Sequence, residues 1–202
     1  MMIGIDFDNT IICYDDVFYN VALERNRIPQ SMPKNKQLIR DYLRKQGYEE
    51  DWTEMQGYVY GKRIIDARPY DGVIQFFQYC KNKHIPIHII SHKTKTPYAG
   101  KQYNLHDAAY NWFARNGFFD QVLTIDQISF LQTKQEKLQK ISDFQCSHFI
   151  DDLPEVLNDQ NFPDKTIPIL FDPQHLHTNC LQSFIRKQNW NDICSYFCSL
   201  IT

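Results

Sequence analysis

The sequence holds no apolar run approaching the ~18 residues of a membrane span, so no membrane partner is expected. Its six cysteines include no CxxC pair. That excludes the usual zinc-ribbon and thioredoxin-like spacings and suggests reduced, mostly buried thiols. No basic region precedes the first apolar run, which breaks at Asp6. A secretory signal is therefore not expected, and the expected compartment is the cytoplasm. Charge of one sign is also lacking: the net charge is −2. This argues against a surface for nucleic-acid polymers built on bulk charge, although it leaves a nucleotide substrate open. There is no internal repeat and no low-complexity tract.

A chain of 202 residues with 43% hydrophobic residues can bury one domain, or one domain with a sizeable insertion. Five segments have strand character: Met2–Phe7, Ile85–Ser91, Gln121–Ile125, His148–Asp151 and Thr166–Phe171. Helical patterns separate them. Asp71–Lys83 and residues 104–116 each gather apolar residues on one face, and Gly117 fits the stop of the second. Thr133-Lys134-Gln135-Glu136 fits a capping box, with Lys134 in the first turn of the helix it opens. The tail, 179–202, reads as one or two closing helices. This alternation predicts an α/β fold, a Rossmann-like α/β/α core with a mostly parallel sheet. Residues 13–68 break it. They carry three helical patterns, Asp15–Arg27, Asn35–Gln46 and Glu49–Ile64, jointed at Pro29, Pro33 and Gly47. The expected division is a core of 1–12 and 69–202 with a small helical insertion at 13–68, placed just after the first strand.

The first strand ends in Asp6 and Asp8, two residues apart. While the chain stays extended, both carboxylates point the same way. Two like charges at the end of a buried strand call for a cation or a shared proton. Parallel sheets carry their chemistry at the carboxyl ends of strands. Three more features fall there: Ser91 ends the second strand, Asp151 and Asp152 end the fourth, and Lys134 opens a helix. Each has a use in phosphoryl transfer. A hard cation such as Mg²⁺ takes oxygen ligands. Asp6 can attack phosphorus as a carboxylate nucleophile, and Asp8 can protonate the leaving oxygen. Ser91 and Lys134 would hold the non-bridging oxygens.

These residues resemble the haloacid dehalogenase-like (HAD) hydrolase superfamily. Its DxDx(T/V) motif is Asp6-Phe7-Asp8-Asn9-Thr10; its apolar strand ending in a hydroxyl is Ile89-Ile90-Ser91. Its helix-opening lysine is best matched by Lys134, and its acidic pair is Phe149-Ile150-Asp151-Asp152. The motifs occur in the family's order, and the insertion at 13–68 is similar in place to the helical C1 cap. The resemblance implies Asp6 as nucleophile and Asp8 as acid/base. It implies Mg²⁺ held by Asp6, the backbone carbonyl of Asp8 and Asp152, with Asp151 behind them. Thr10, Ser91, His92 and Lys134 are the expected phosphate-side residues. The family's dehalogenases lack the second aspartate, so the resemblance implies phosphate chemistry on a small phosphorylated metabolite, such as a nucleotide or a sugar phosphate. The Asp151-Asp152-Leu153-Pro154-Glu155 run also resembles the 5'(3')-deoxyribonucleotidase branch, although that branch's usual Gly stands as Asn9 here. A phosphomutase or phosphotransferase of the same fold, and a non-catalytic binding module, are the rival expectations.

Each feature also has a plainer reading. A lone DxD is more often a solvated turn, and only the four motifs together outweigh that. Lys137 and Lys101 compete with Lys134 for the phosphate. His92 and Lys93, which directly follow Ser91, either face the substrate or belong to a solvated loop. Trp52, Tyr58 and Tyr60 could stack a base, with packing as the default. Arg63 and Arg68 could reach an anionic substrate, with surface placement as the plainer reading. His175, His177 and Cys180 lack the second ligand pair of a zinc site. Substrate identity and oligomeric state are not legible.

Overall fold

The computed structural model describes residues 1–177 and 184–200. In chain order the elements begin β1 (Ile3–Ile5), β2 (Ile12–Cys13), α1 (Asp15–Glu24), α2 (Lys36–Lys45), α3 (Glu49–Gly61) and β3 (Arg68–Pro69). Then come α4 (Val73–Asn82), β4 (Ile87–His92), α5 (Leu105–Arg115), α6 (Phe118–Gln121), β5 (Ile128–Leu131) and α7 (Lys134–Asp143). The last are β6 (His148–Asp151), α8 (Pro154–Leu157), β7 (Ile167–Phe171), β8 (Ile185–Lys187) and α9 (Trp190–Leu200). Among the described residues no helix is long and apolar enough to cross a membrane.

The chain forms two compact units. The first comprises Met1–Ile12, Pro69–Lys93 and Gly117–Thr202; the second comprises Cys13–Arg68 and Thr94–Asn116. The first is the Rossmann-like α/β unit. Its six-stranded sheet runs β5-β4-β1-β6-β7-β8, with every neighbouring pair parallel. Ile5 lies level with Ile89 of β4 and Ile150 of β6, so the three strands end along one edge. Both faces are covered, which is why these strands are nearly all apolar. On one face Ile90, Phe149 and Leu170 pack with Leu138 and Ile141 of α7 and Val156 and Leu157 of α8. On the other, Phe171 meets Trp190 at 5.7 Å and His148 meets Phe197 at 4.9 Å. Gly4 is required by this packing: a Cβ there would lie 2.6 Å from the Phe149 ring.

The second unit is helical. Its helices α1, α2 and α3 pack on one another, and α3 packs on α5. Phe18, Val21, Ile39, Leu43, Trp52, Met55 and Val59 form its interior. Asn35 caps α2 by accepting from the Leu38 amide at 2.7 Å.

In four places the structure differs from, or adds to, the sequence expectations. Residues 94–116, assigned to the core from sequence, fold with the helical insertion. Here α5 buries Leu105, Ala109, Trp112 and Phe113, and the Trp112 indole donates to the Ala67 carbonyl at 2.8 Å. A Cβ on Gly57 would come within 2.7 Å of Pro97, so α3 lies close against this returning segment. The strand expected at Gln121–Ile125 is instead β5, a few residues later. The amides of Val122 and Leu123 both donate to the Phe118 carbonyl, closing α6 rather than entering the sheet. The short pair β2 and β3, at the chain's passages between the units, was not expected. In the tail only α9 is helical among the described residues, and Ile185–Lys187 adds an edge strand, β8. Residues 178–183 and 201–202 of that expectation lie outside the described residues.

Candidate active site

The register that aligns Ile5 with Ile150 sets the next residues, Asp6 and Asp151, side by side on the sheet face covered by α7. The amide of Asp6 still donates to the Ile150 carbonyl at 2.9 Å, so it remains part of the ladder. Beyond it the chain turns. The amides of Thr10, Ile11 and Ile12 fold back onto the Phe7 carbonyl, and Asn9 takes a left-handed φ of 60°. Asparagine is among the few residues that tolerate that conformation. The same-face relation of Asp6 and Asp8 therefore ends at the turn, and the two carboxylates meet different cations.

Asp6 meets Lys137. The Lys137 ammonium donates to Asp6 Oδ1 and to Asp151 Oδ2, each at 2.6 Å. The side chain of Lys137 is only 2% exposed. Asp151 is anchored further by the Leu153 amide, which donates to its Oδ1 at 3.0 Å. Asp6, Asp151 and Asp152, all buried, each offer an oxygen, and these oxygens lie within 4.8 Å of one another. Burial pushes the Asp151 carboxyl up to about 7; the Lys137 ammonium pulls it down and the Asp6 charge pushes it further up. Burial works against the charge on Lys137, but Asp151 and Asp6 outweigh it and hold the ammonium above its ordinary value.

Asp8 meets Lys93, whose ammonium donates to both carboxylate oxygens at 2.9 Å. Two buried hydroxyls complete the set. Among the described residues Ser91 Oγ and Thr10 Oγ1 have no hydrogen-bond partner, although both residues are buried. An unsatisfied buried hydroxyl costs about 1–3 kcal/mol, so both are suited to an incoming oxygen-rich group.

Two of the expected residues lie apart from the cluster. Lys134 is not in the cluster: its side chain is 38% exposed and pairs with Asp159 at 2.5 Å. Lys137 occupies the place instead. The helical pattern does not separate the two, since each precedes a buried residue by four, Leu138 and Ile141. What separates them is how far α7 overhangs the sheet edge. Lys134 opens the helix and pairs with Asp159, whereas Lys137, nearly a turn further in, meets Asp6 and Asp151. His92 also falls away from the cluster. It is exposed, and its Nε2 donates to the Gln132 carbonyl at 2.9 Å. Lys93, which the sequence left between substrate contact and loop, is buried against Asp8.

In the helical unit Lys101 stands over the Tyr103 ring. Trp52 is buried against Phe18, with ring centroids 4.9 Å apart. Tyr60 packs on Tyr14 at 5.0 Å, and Tyr58 lies under the Arg25 guanidinium at 5.4 Å. Arg63 pairs with Glu24 and Asp66.

No protein-family model matches the sequence, and comparison with curated proteins finds no match. Comparison with solved structures finds many. A HAD family hydrolase of Deinococcus radiodurans, solved with bound phosphate and sodium, superposes with a TM-score of 0.62. The match covers 98% of this chain and 95% of that one at 9% identity. The chain has the fold of the HAD-superfamily hydrolases. A HAD-superfamily hydrolase of Ehrlichia chaffeensis matches at TM-score 0.55 and 15% identity, over 100% of this chain and 97% of that one. A HAD-hydrolase of Bacillus subtilis described as bound to magnesium matches at TM-score 0.56 and 11% identity, over 96% and 97%. At such identities the likeness is one of fold.

Proposed function

We propose that this chain is a Mg²⁺-dependent phosphatase of the HAD superfamily that hydrolyses a small phosphomonoester through an aspartyl-phosphate on Asp6. The observation that carries the reading is the Asp6–Lys137–Asp151 bridge, with Asp152 beside it, at the carboxyl edge of a parallel sheet. The residues fit a hard divalent cation. All the donors are oxygens. Four carboxylates, Asp6, Asp8, Asp151 and Asp152, stand against two ammoniums, Lys93 and Lys137, leaving an excess of two negative charges. Asp6, Asp152 and the backbone carbonyl of Asp8 would hold the cation, with Asp151 behind them. When bound, the cation neutralises the attacking carboxylate and the oxygens of the phosphate.

The chain's own groups then divide the work. Asp6 attacks phosphorus while Asp8 protonates the leaving oxygen. In the second step Asp8 takes a proton from the water that cleaves the Asp6–phosphorus bond. Lys137 and the hydroxyls of Ser91 and Thr10 stabilise the non-bridging oxygens. The helical unit is the substrate-selecting cap in this reading. The run from Asp151 to Glu155 makes nucleoside monophosphates the first substrates to try, ahead of sugar phosphates.

The test is a screen of phosphomonoesters with Mg²⁺ and with the metal chelated, following inorganic phosphate without an added acceptor. Release is expected with metal only. Asp6→Asn should reduce turnover to background and leave the melting transition in place. Undiminished turnover in that variant would overturn the mechanism. Absence of turnover across the whole panel would overturn the function.

A further inference from the structure

The mechanism above does not use Lys93, yet Lys93 is as buried as Lys137. Its backbone amide donates to the Leu131 carbonyl at 2.8 Å, which carries the β4–β5 pairing one residue past the end of β4. That extension points the side chain under the turn after β1. The ammonium lies 5.3 Å from the centroid of the Phe7 ring, and its side chain is 2% exposed against 19% for Asp8. Asp8 is thus the more solvent-facing member of the pair.

The two equal distances of 2.9 Å place the ammonium midway between the carboxylate oxygens of Asp8. A cation there engages the inner lone pairs and leaves the outer ones facing away. Asp8 sits on the turn beyond β1 rather than in the strand, with its backbone bridged to Ile12. General acid–base catalysis requires a group held within hydrogen-bond reach of the atom it serves. A short side chain on a turn does not meet that requirement without an anchor.

We propose that Lys93 is a positioning residue for the proton-transfer group of this site. It aims the Asp8 carboxylate at the leaving oxygen, and at the water in the second step. This rests on the phosphatase reading above. In the first step the Asp6 oxygen–phosphorus bond forms, the bond from phosphorus to the leaving oxygen breaks, and the proton of Asp8 passes to that oxygen. In the second, a water oxygen–phosphorus bond forms, the Asp6–phosphorus bond breaks, and a water proton returns to Asp8. Lys93 exchanges no proton in either step.

The consequence is a dependence on the leaving group. A nitrophenolate leaves without help from an acid, whereas an alkoxide needs the proton. The experiment compares kcat/KM, which reports the first step, for p-nitrophenyl phosphate and ethyl phosphate with Mg²⁺. Lys93→Met should lose about 100-fold on the alkyl ester and less than about 5-fold on the nitrophenyl ester. In an Asp8→Asn background the same change should add less than about 2-fold, because the group it acts through is gone. Equal losses on both esters, or additive losses in the double variant, would overturn the proposal. Should Lys93→Met not fold, Lys93→Gln, which keeps a shorter stem and an uncharged amide donor, is expected to show the same split. A wild-type protein inert toward every phosphomonoester would sink the phosphatase reading instead. The positioning claim then stands or falls on a crystal structure of the folded Lys93 variant. There the Asp8 carboxylate should leave its wild-type place, and an unmoved carboxylate would overturn it.

Discussion

The two units of this molecule bury different things. The helical unit buries rings and aliphatic chains, among them Phe18, Trp52, Met55 and Val59. It keeps most of its charges outside, in pairs such as Arg44–Glu49 and Lys34–Asp16. The α/β unit buries a comparable hydrophobic core but adds charges at one sheet edge: Asp6, Asp151, Asp152, Lys93 and Lys137. Exposed pairs contribute about 0–1 kcal/mol. Buried pairs seldom stabilise more than well-packed apolar residues would, because desolvation offsets their attraction. Stability therefore accounts for the interior of the helical unit and not for the charged edge of the other. The edge is a place where the fold tolerates a cost, and such places are where chemistry is found.

The largest effect that would sharpen this contrast comes from the two lysines of α7. Lys137→Met leaves Asp6 and Asp151 facing each other without a cation. It is expected to lower stability by about 3–5 kcal/mol and turnover by at least about 100-fold. Lys134→Met should change stability by less than about 1 kcal/mol and leave turnover within a few-fold. Urea unfolding and phosphate release measure both. A Lys134 variant worse than the Lys137 variant would break the assignment.

Next comes the helical interior. Trp52→Ala should cost about 3–5 kcal/mol, as read by chemical denaturation, with no cation needed to see the effect. A loss below about 1 kcal/mol would mean that this interior is not the packed core its buried rings suggest.

The smallest effect concerns His88, a polar residue buried on the sheet of the α/β unit away from the charged edge. Its Nε2 lies 3.0 Å from Ser129 Oγ, and its ring stacks 4.1 Å from Phe144. Burial, with the Lys140 charge adding to it, lowers its pKa to about 4 from 6.5. Between those values the unfolded chain binds a proton that the folded chain refuses. The contribution of His88 is thus fully present above pH 6.5 and is lost as pH falls toward about 4. The expected size is about 1–3 kcal/mol across that window. The check is the difference in unfolding free energy between wild type and His88→Gln as a function of pH. A flat difference would mean that His88 titrates in the folded protein as it does in the unfolded one.

Much of the sheet was legible in the sequence. His148–Asp151 is a strand as expected, and β1, β4 and β7 fall within two residues of their expected limits. Buried parallel strands are short apolar runs, and these runs end abruptly in acids or hydroxyls. The capping box at Thr133 was equally legible, since Thr133 and Glu136 exchange side-chain and backbone bonds at 3.1 Å. The segment Val122-Leu123-Thr124-Ile125 misled because its composition suits a strand. Phe118 decides otherwise by accepting the amides of Val122 and Leu123. Edge strand β8, Ile-Arg-Lys, carries too few apolar residues over too short a span to announce itself.

By itself the sequence determined the acidic pairs, the strand ends that carry them and the alternation that sets those ends along one edge. These are local properties, read from period and spacing. Only the tertiary structure decided that Lys137 rather than Lys134 bridges the carboxylates, that Lys93 rather than His92 turns inward, and that residues 94–116 join the helical unit. Periodicity tells which side of a helix faces the sheet. It does not tell how far the helix overhangs the sheet edge, nor which charge, eighty-five residues away as Asp8 is from Lys93, waits opposite.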